Sequence, residues 1–421
     1  MSRRSSNATN RARIARHVVA AVEVLVLASL ASAPGAVIAS SQATAASAAS
    51  RKSLPEPRRV AAGVDLFILS DPTLLSPPGP VAVQALRLDP RRVTLRMALA
   101  RDRVLGTETV PSMAARHGAL AAINAGFFLP SGDPAGLFVL GRLLVSDTEL
   151  QRGAVALTAD EGKAGAVRLL FDQVRATLRV RLPLARKGGR TSAPGTWLIA
   201  VDGVDTVRGP GRLVWFTPRF YDHTDTTTAG TDWVLQGNPL EVIEKRSSAI
   251  RTAIPANGAV LSYGGTELPP ALERLKVGER VESEAVFEPA RGTKARDWAR
   301  AEHVIGGAGL LLHDGKLLDD WSVERLRPGF TAERHPRTMI GTDGAGSIWL
   351  VTVDGRNPLV SLGMRFDELQ AVARRLGLRN ALNLDGGGST TMVVKGEVVN
   401  HPSDPGGPRS VSDALLVFER R

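Results

Sequence analysis

From Ala61 to the C-terminus, short apolar runs alternate with clusters of Gly, Pro and Asp, and this punctuation constrains the fold more than any other feature. Runs of roughly four to eight residues bounded by turn formers read as strands. The 42 Gly and 26 Pro among 421 residues supply those turns. Val93–Ala100, Ala119–Ile123, Thr338–Gly341, Ser347–Val353, Ala381–Leu384 and Ala414–Phe418 are the clearest runs. Thr342-Asp343-Gly344-Ala345-Gly346 joins two of them as a Gly-containing hairpin loop. Two stretches carry a helical signature instead. Val110–His117 has Pro111 in its first turn and Gly118 as its stop. Phe366, Leu369, Val372, Ala373 and Leu376 share one helical face, Asp367 and Glu368 occupy the favoured first turn, and Gly377 ends the helix. The expected fold is α+β, a β-rich mixed-sheet core with few helices plus a small all-β insertion.

The boundaries follow from composition. Residues 1–45 begin Arg-rich, continue through the apolar run Val18–Leu30, and end in small residues, with Ala43-Thr44-Ala45 and Ala46-Ser47-Ala48 both fitting an A-x-A cleavage site. This pattern reads as a bacterial-type secretory signal peptide, and so predicts a secreted or cell-envelope protein. Glu23 inside the run and Pro34 beyond it argue against a stable membrane span, with an uncleaved N-terminal anchor as the alternative. Residues 46–60 read as a linker, and 61–189 and 291–421 as the two parts of one unit. Residues 190–290 have Trp197–Val201, Leu213–Thr217, Trp233–Gln236, Val260–Leu261 and Val281–Phe287 as candidate strands, and form the expected β-rich insertion.

Absence of Cys excludes disulfides, thiolate metal sites and cysteine nucleophiles. The seven His are scattered with no H-E-x-x-H, and G-x-S-x-G is missing as well. No cofactor or metal is expected. Hydrolytic chemistry would have to rest on carboxylates, hydroxyls, Arg and backbone groups. The formal charge is +11, but residues 1–45 supply four of those charges, leaving +7. No Lys/Arg run is interleaved with aromatics, so nucleic acid is not an expected partner.

Asn383-Leu384-Asp385-Gly386-Gly387-Gly388-Ser389-Thr390-Thr391 is the sharpest segment. A carboxylate ends a strand, and three glycines let successive N–H groups converge into an anion-binding concavity, with hydroxyls beyond. A tight hairpin with Asp385 bonded to its own turn is the competing reading. Val353-Asp354-Gly355-Arg356 is a second strand-end carboxylate, otherwise a plain Asp-Gly turn. In His335-Pro336-Arg337-Thr338, Arg337 presents a planar fork suited to phosphate, or else an ordinary surface ion pair. Asn124-Ala125-Gly126-Phe127-Phe128 could line a sugar-sized pocket, or place its aromatics in the core.

In this order, Asn124–Phe128, Arg337–Asp343, Val353–Gly355, Asn383–Ser389 and Pro402-Ser403-Asp404 resemble the phosphodiester glycosidase family. The resemblance covers roughly residues 61–421 and is strongest over 300–421. Ile305–Gly315 and Gly407-Pro408-Arg409-Ser410 depart from the family's usual forms, the second keeping Arg409 as its charge. The resemblance implies hydrolysis of a sugar-1-phosphodiester, of the N-acetylglucosamine-1-phosphodiester type, releasing sugar and phosphomonoester. Cell-envelope or extracellular glycoconjugates and glycopolymers would be the substrates, with no stable membrane span after signal removal. A phosphate leaving group needs charge neutralisation, which Arg337 and the Gly386, Gly387 and Gly388 amides could supply. Cleavage at C1 passes through an oxocarbenium-like state served by a carboxylate pair. Asp354 and Asp385 are that pair, with Asp404 in reserve and the nucleophile and base roles undivided. Asn124, Gly126, Phe128, Thr338, Arg356, Asn383, Ser389, Thr390 and Arg409 complete the expected binding set. Two other classes compete: a non-catalytic envelope protein that binds anionic glycopolymers, and a metal-dependent phosphodiesterase using Asp222, His223 and Asp225. Nothing in the sequence fixes an oligomeric state.

Overall fold

The computed structural model describes residues 53–160, 166–183 and 196–420. The expected signal peptide, and most of the expected linker's first half, lie outside the described residues. No helix among the described residues is long and apolar enough to cross a membrane.

Two antiparallel sheets pack face to face. The first has eight strands, with the order Arg58–Ala61, Val64–Leu69, Val83–Leu88, Ile348–Val353, Arg337–Asp343, Leu378–Asn383, Leu310–His313 and Lys316–Leu317. The second has five, with the order Glu397–Val398, Met392–Val394, Ala121–Asn124, Asp413–Glu419 and Val93–Leu99. Strand side chains alternate between faces, so each sheet offers two apolar faces. The inner core joins Leu66, Leu86, Ile340, Leu350 and Leu382 of the first sheet to Leu95, Met97, Ile123, Met392, Leu415 and Val417 of the second.

The two expected helices cover the outer faces. Phe366–Arg375 lays Phe366, Leu369, Val372 and Ala373 on Met339, Val351 and Val353. The Arg365 N–H donates to the Glu368 carboxylate at 3.0 Å, which satisfies an orphan amide at the helix start. Val110–His117 packs Val110, Met113 and Ala114 on Ala122, Ala414 and Leu416. Its N-cap Thr109 accepts from Ser112 N, and Gly118 closes it at φ 66°. Helix, sheet, sheet and helix therefore stack as four layers.

A third sheet is larger and mixed: its one parallel pair joins Gly203–Val204 to Leu213–Phe216. The candidate strands of 190–290 are strands. They continue the sheet built on Thr148–Ala159 and Val167–Pro183, with Arg280–Pro289 paired along the latter. Trp215, Trp233, Val242 and Leu261 share one core with Val174, Val180 and Leu182. Leu240–Ala249, which the sequence reading passed over, is also a strand; most of its side chains are exposed, so no apolar run marks it.

At this junction Asp133 is buried and accepts a hydrogen bond from Thr206 Oγ1 at 2.9 Å. Burial, with the Asp147 charge adding, pushes the Asp133 carboxyl up to about 7. Asp205, fully buried on Thr217, is raised in the same direction by burial and by Asp133. The folded state thus holds the Asp133 proton to higher pH than the unfolded chain. Its stabilisation is complete below the unfolded value of 3.8 and is lost as pH rises to about 7. Asp133→Asn keeps an acceptor for Thr206 and is expected to be more stable than the parent at pH 8, by up to about 4 kcal/mol. Urea unfolding of both proteins should show that advantage vanish near pH 4, and equal stability at both pH values would sink the idea.

Candidate functional site

The site forms where strand ends of the two packed sheets meet, and the face each residue occupies decides its part. On Arg337–Asp343, Met339 lies on the helix side and Ile340 on the inner side. Thr338 therefore points inward with Ile340, and Arg337 outward with Met339. Thr338 Oγ1 donates to Asn124 Oδ1 at 2.9 Å and lies 3.4 Å from Thr390 Oγ1.

Asp354 follows Ile348–Val353 and is buried. Its Oδ1 accepts from Asn400 Nδ2 at 3.1 Å and His401 N at 2.9 Å. Oδ2 accepts from Gln84 Nε2 at 3.1 Å and lies 3.2 Å from His401 Nδ1. Gln84 is held from behind by Thr352 Oγ1 at 3.0 Å. Asn400 Nδ2 also donates to the Thr390 carbonyl at 3.1 Å, which ties Asp354 to the glycine loop.

Asp385 opens that loop after Leu378–Asn383. Its N–H donates to Ala125 O at 3.0 Å, and its carbonyl accepts from Asn124 Nδ2 at 2.7 Å. Burial pushes the Asp385 carboxyl up to about 6, opposed by hydrogen bonds from Ser389 and Gly386 N and by the Arg409 charge. A Cβ at Gly386 would lie 2.6 Å from the Pro336 carbonyl, so only glycine fits there. The Asp404–Arg409 pair, bonded at 2.8 and 3.0 Å, lies against Gly388, where a Cβ would push these two side chains aside.

Cations gather beside this loop. Arg356 is exposed, holds φ 63°, and its guanidinium lies against Gly387. Among the described residues no hydrogen bond or ion pair holds it in place. Its charge helps to lower the His335 imidazole, after burial and the Arg337 charge.

Several expected residues are placed differently. Arg337, expected on phosphate, is buried on the helix side of its sheet. Its Nε donates to Met364 O at 2.8 Å, and one terminal nitrogen donates to Phe330 O at 2.7 Å and Glu333 O at 3.0 Å. Its guanidinium lies 5.2 and 4.9 Å from the Phe330 and Phe366 ring centres. Burial lowers it to about 10, which leaves it a cation at neutral pH. The glycine amides do not all converge on a ligand, because Gly386 N–H donates to Asp385 Oδ1 and Gly387 N–H to Pro336 O, both at 2.9 Å. Asn124 is spent on Thr338, Thr391 N and the Asp385 carbonyl, so it organises the loop. Asn383 Nδ2 bonds the Ala308 and Leu384 carbonyls at 2.9 Å each. Phe128 packs against the cluster under Val110–His117, while its neighbour Phe127 lies 6.0 Å from the Phe330 ring.

Gln84, Asn400, His401 and Asp413 escaped the sequence reading. Asp413 opens the apolar strand Asp413–Glu419, and its Oδ1 accepts from Gly126 N at 2.7 Å. A carboxylate at a strand terminus was the signal that marked Asp354 and Asp385, and it could have marked Asp413. Gln84 is a lone polar residue in an apolar run and carries no such mark.

The competing metal loop is not assembled. Asp222 pairs with Arg103 at 3.1 Å, and the His223 ring lies 5.2 Å from that of Tyr221. Among the described residues no group of three or more His, Asp or Glu is arranged to hold a metal ion.

Comparison with known proteins finds similarity over part of this chain. The sequence model of the phosphodiester glycosidase family matches residues 229–418, starting inside the segment expected as an insertion. An uncharacterized SPbeta prophage-derived protein, YomE of Bacillus subtilis, is 39% identical over 84 residues, 20% of this chain and 13% of that protein. N-acetylglucosamine-1-phosphodiester alpha-N-acetylglucosaminidase of Mus musculus is 36% identical over 91 residues, 20% of this chain and 17% of the mouse protein. The chain thus spans less than a fifth of the length of either relative. A hypothetical protein from Synechocystis has the same fold, with a TM-score of 0.70 at 22% identity, over 87% of this chain and 64% of that one. Asp354, Asp385, Asp404, Arg409 and Asp413 all fall inside residues 229–418, the segment of this chain that matches the phosphodiester glycosidase family.

Proposed function

We propose that the chain is a hydrolase that cleaves a sugar-1-phosphodiester between C1 and the phosphate oxygen, releasing the sugar and a phosphomonoester. One observation carries the reading: two strand-end aspartates of different character are tied to one loop through Asn400 and Thr390. Asp354 accepts up to four hydrogen bonds that hold its carboxyl group in place, as a group facing a developing oxocarbenium ion requires. Asp385, pushed up to about 6, can hold or release a proton near neutral pH. Arg356, exposed over Gly387, would neutralise the departing phosphate, with the Asp404–Arg409 pair behind it. Asn124, Thr338, Thr390 and Arg337 would act by position, holding the loop and strand that carry the two carboxylates. The name of the mouse relative states the same bond type.

The substrate would be an N-acetylglucosamine-1-phosphodiester or a similar glycoconjugate, outside the cell or in its envelope. The signal-like residues 1–45 support export. Hydrolysis of such a diester in heavy-oxygen water tests the reaction. The label is expected on the C1 hydroxyl of the released sugar. Label on the phosphate would mean P–O cleavage and reject the glycosidase reading, and binding without turnover would favour the non-catalytic alternative.

A further inference from the structure

Asp413 is not among the residues assigned above to the reaction, yet the fold places it against the segment that Asp385 grips. Asp413, Leu415 and Val417 alternate onto the inner face of their strand, where Leu415 and Val417 join the core between the sheets. Asp413 occupies the end of that row and is buried. Its Oδ1 accepts from Gly126 N, one residue beyond the Ala125 carbonyl that accepts from Asp385 N. The two aspartates therefore grip consecutive backbone groups of one short segment. Asp413 Oδ2 is buried and makes no well-formed hydrogen bond, with only the adjacent Ser412 hydroxyl, itself unpartnered, to offset its burial. An ionised carboxylate with a dry, unpaired oxygen is costly, and a proton is the simplest way to relieve that cost.

We propose that Asp413 is a positioning residue whose charge, held on Gly126 N across the peptide that Asp385 N grips, sets the pH at which Asp385 changes charge. The proposal rests on the reading of Asp385 as the residue that holds the reacting proton. Burial is the largest cause holding both carboxyls up to about 6; for Asp413 the Asp385 charge adds to it, while Gly126 N and the Ser412 hydroxyl oppose it. Two such groups titrate as a pair, because the first to ionise holds the proton on the second. The surrounding charges are few. Arg409, with Asp404, faces the pair from the loop before Ser410–Val411, and its charge favours ionised Asp385. Arg356 lies over Gly387. Ala121–Asn124 contributes no ionisable group. From Val93–Leu99 and the turn after it, Arg96 lies over Phe418 and Arg101 and Asp102 are exposed.

The test is carboxyl NMR on the full chain with ¹³C-labelled aspartate, the Asp385 signal being assigned by its loss in Asp385→Asn. Asp413→Asn keeps an acceptor for Gly126 N and removes the charge, and Asp413→Ala removes both. In each variant the Asp385 midpoint is expected to fall by about one pH unit. The limb of the pH–rate profile that Asp385 sets should fall with it, whether Asp385 acts as acid or as base. By reciprocity, Asp385→Asn should lower the Asp413 midpoint equally, a measurement that stands even where the Asp413 variants do not fold. Midpoints that stay in place in every foldable variant would overturn the proposal. A parent protein that hydrolyses no sugar-1-phosphodiester would overturn the proposed function instead, while the NMR midpoints would still report on the pair.

Discussion

Asp385→Asn is expected to lower kcat/KM for a sugar-1-phosphodiester by about 10³-fold, within the range for loss of a positioned acid or base. The substitution is nearly isosteric and keeps an oxygen to accept from Gly386 N, so the loop should keep its shape. Asp354→Asn should cost a similar factor through a different cause. The Asp354 carboxylate meets only donors, from Gln84, Asn400 and His401. An amide at position 354 would aim its own N–H at one of them and remove the carboxylate proposed to face C1. Stability should therefore fall with activity in Asp354→Asn, by about 1–3 kcal/mol, the cost of an unsatisfied buried group. In Asp385→Asn it should not fall, because the amide escapes the burial cost of the carboxylate above about pH 6. Steady-state kinetics with circular dichroism on both variants checks this. Wild-type hydrolysis in both would show that the site has been misplaced.

Arg337→Ala is expected to unfold the chain more readily, by about 3–5 kcal/mol, the usual cost of breaking a buried charged network. The Phe330 and Glu333 carbonyls would lose their donor, and the Met364 carbonyl would keep only His335 N. A space would also open between the Phe330 and Phe366 rings. Urea unfolding measures the loss. A phosphate-binding Arg337 would behave otherwise, since its removal would raise KM and leave stability almost unchanged. That result would restore the direct role that the sequence had suggested.

The contrast between these residues marks how far local pattern reaches. Strand and helix periods, helix stops and the family motifs are carried by residues a few positions apart. The helix Val110–His117 and its Gly118 stop are therefore legible from the sequence. The same holds for Asp354 and Asp385, each a carboxylate where an apolar run meets glycine. Arg337 shares that legibility as a position but not as a direction. Its motif says that an arginine opens a strand, while its target depends on which face of the sheet receives a helix. The partners of Asp354 lie further away still. Gln84 is 270 residues distant and Asn400 is 46, and neither sits in a local pattern that announces a bond to a carboxylate.

By itself, then, the sequence determined a β-rich chain with two amphipathic helices and carboxylates at strand ends beside a glycine loop. Backbone propensity and side-chain period act over a few residues and suffice for that much. Only the tertiary structure decided that Arg337 turns toward the helix, that Asn124 serves the loop, and that Asp413 accepts from Gly126 N. Each of these depends on which sheet face is buried against what, and on how a buried polar group finds partners across the fold. That selection is made by packing between distant segments, where burial leaves an unpaired donor or acceptor too costly to keep.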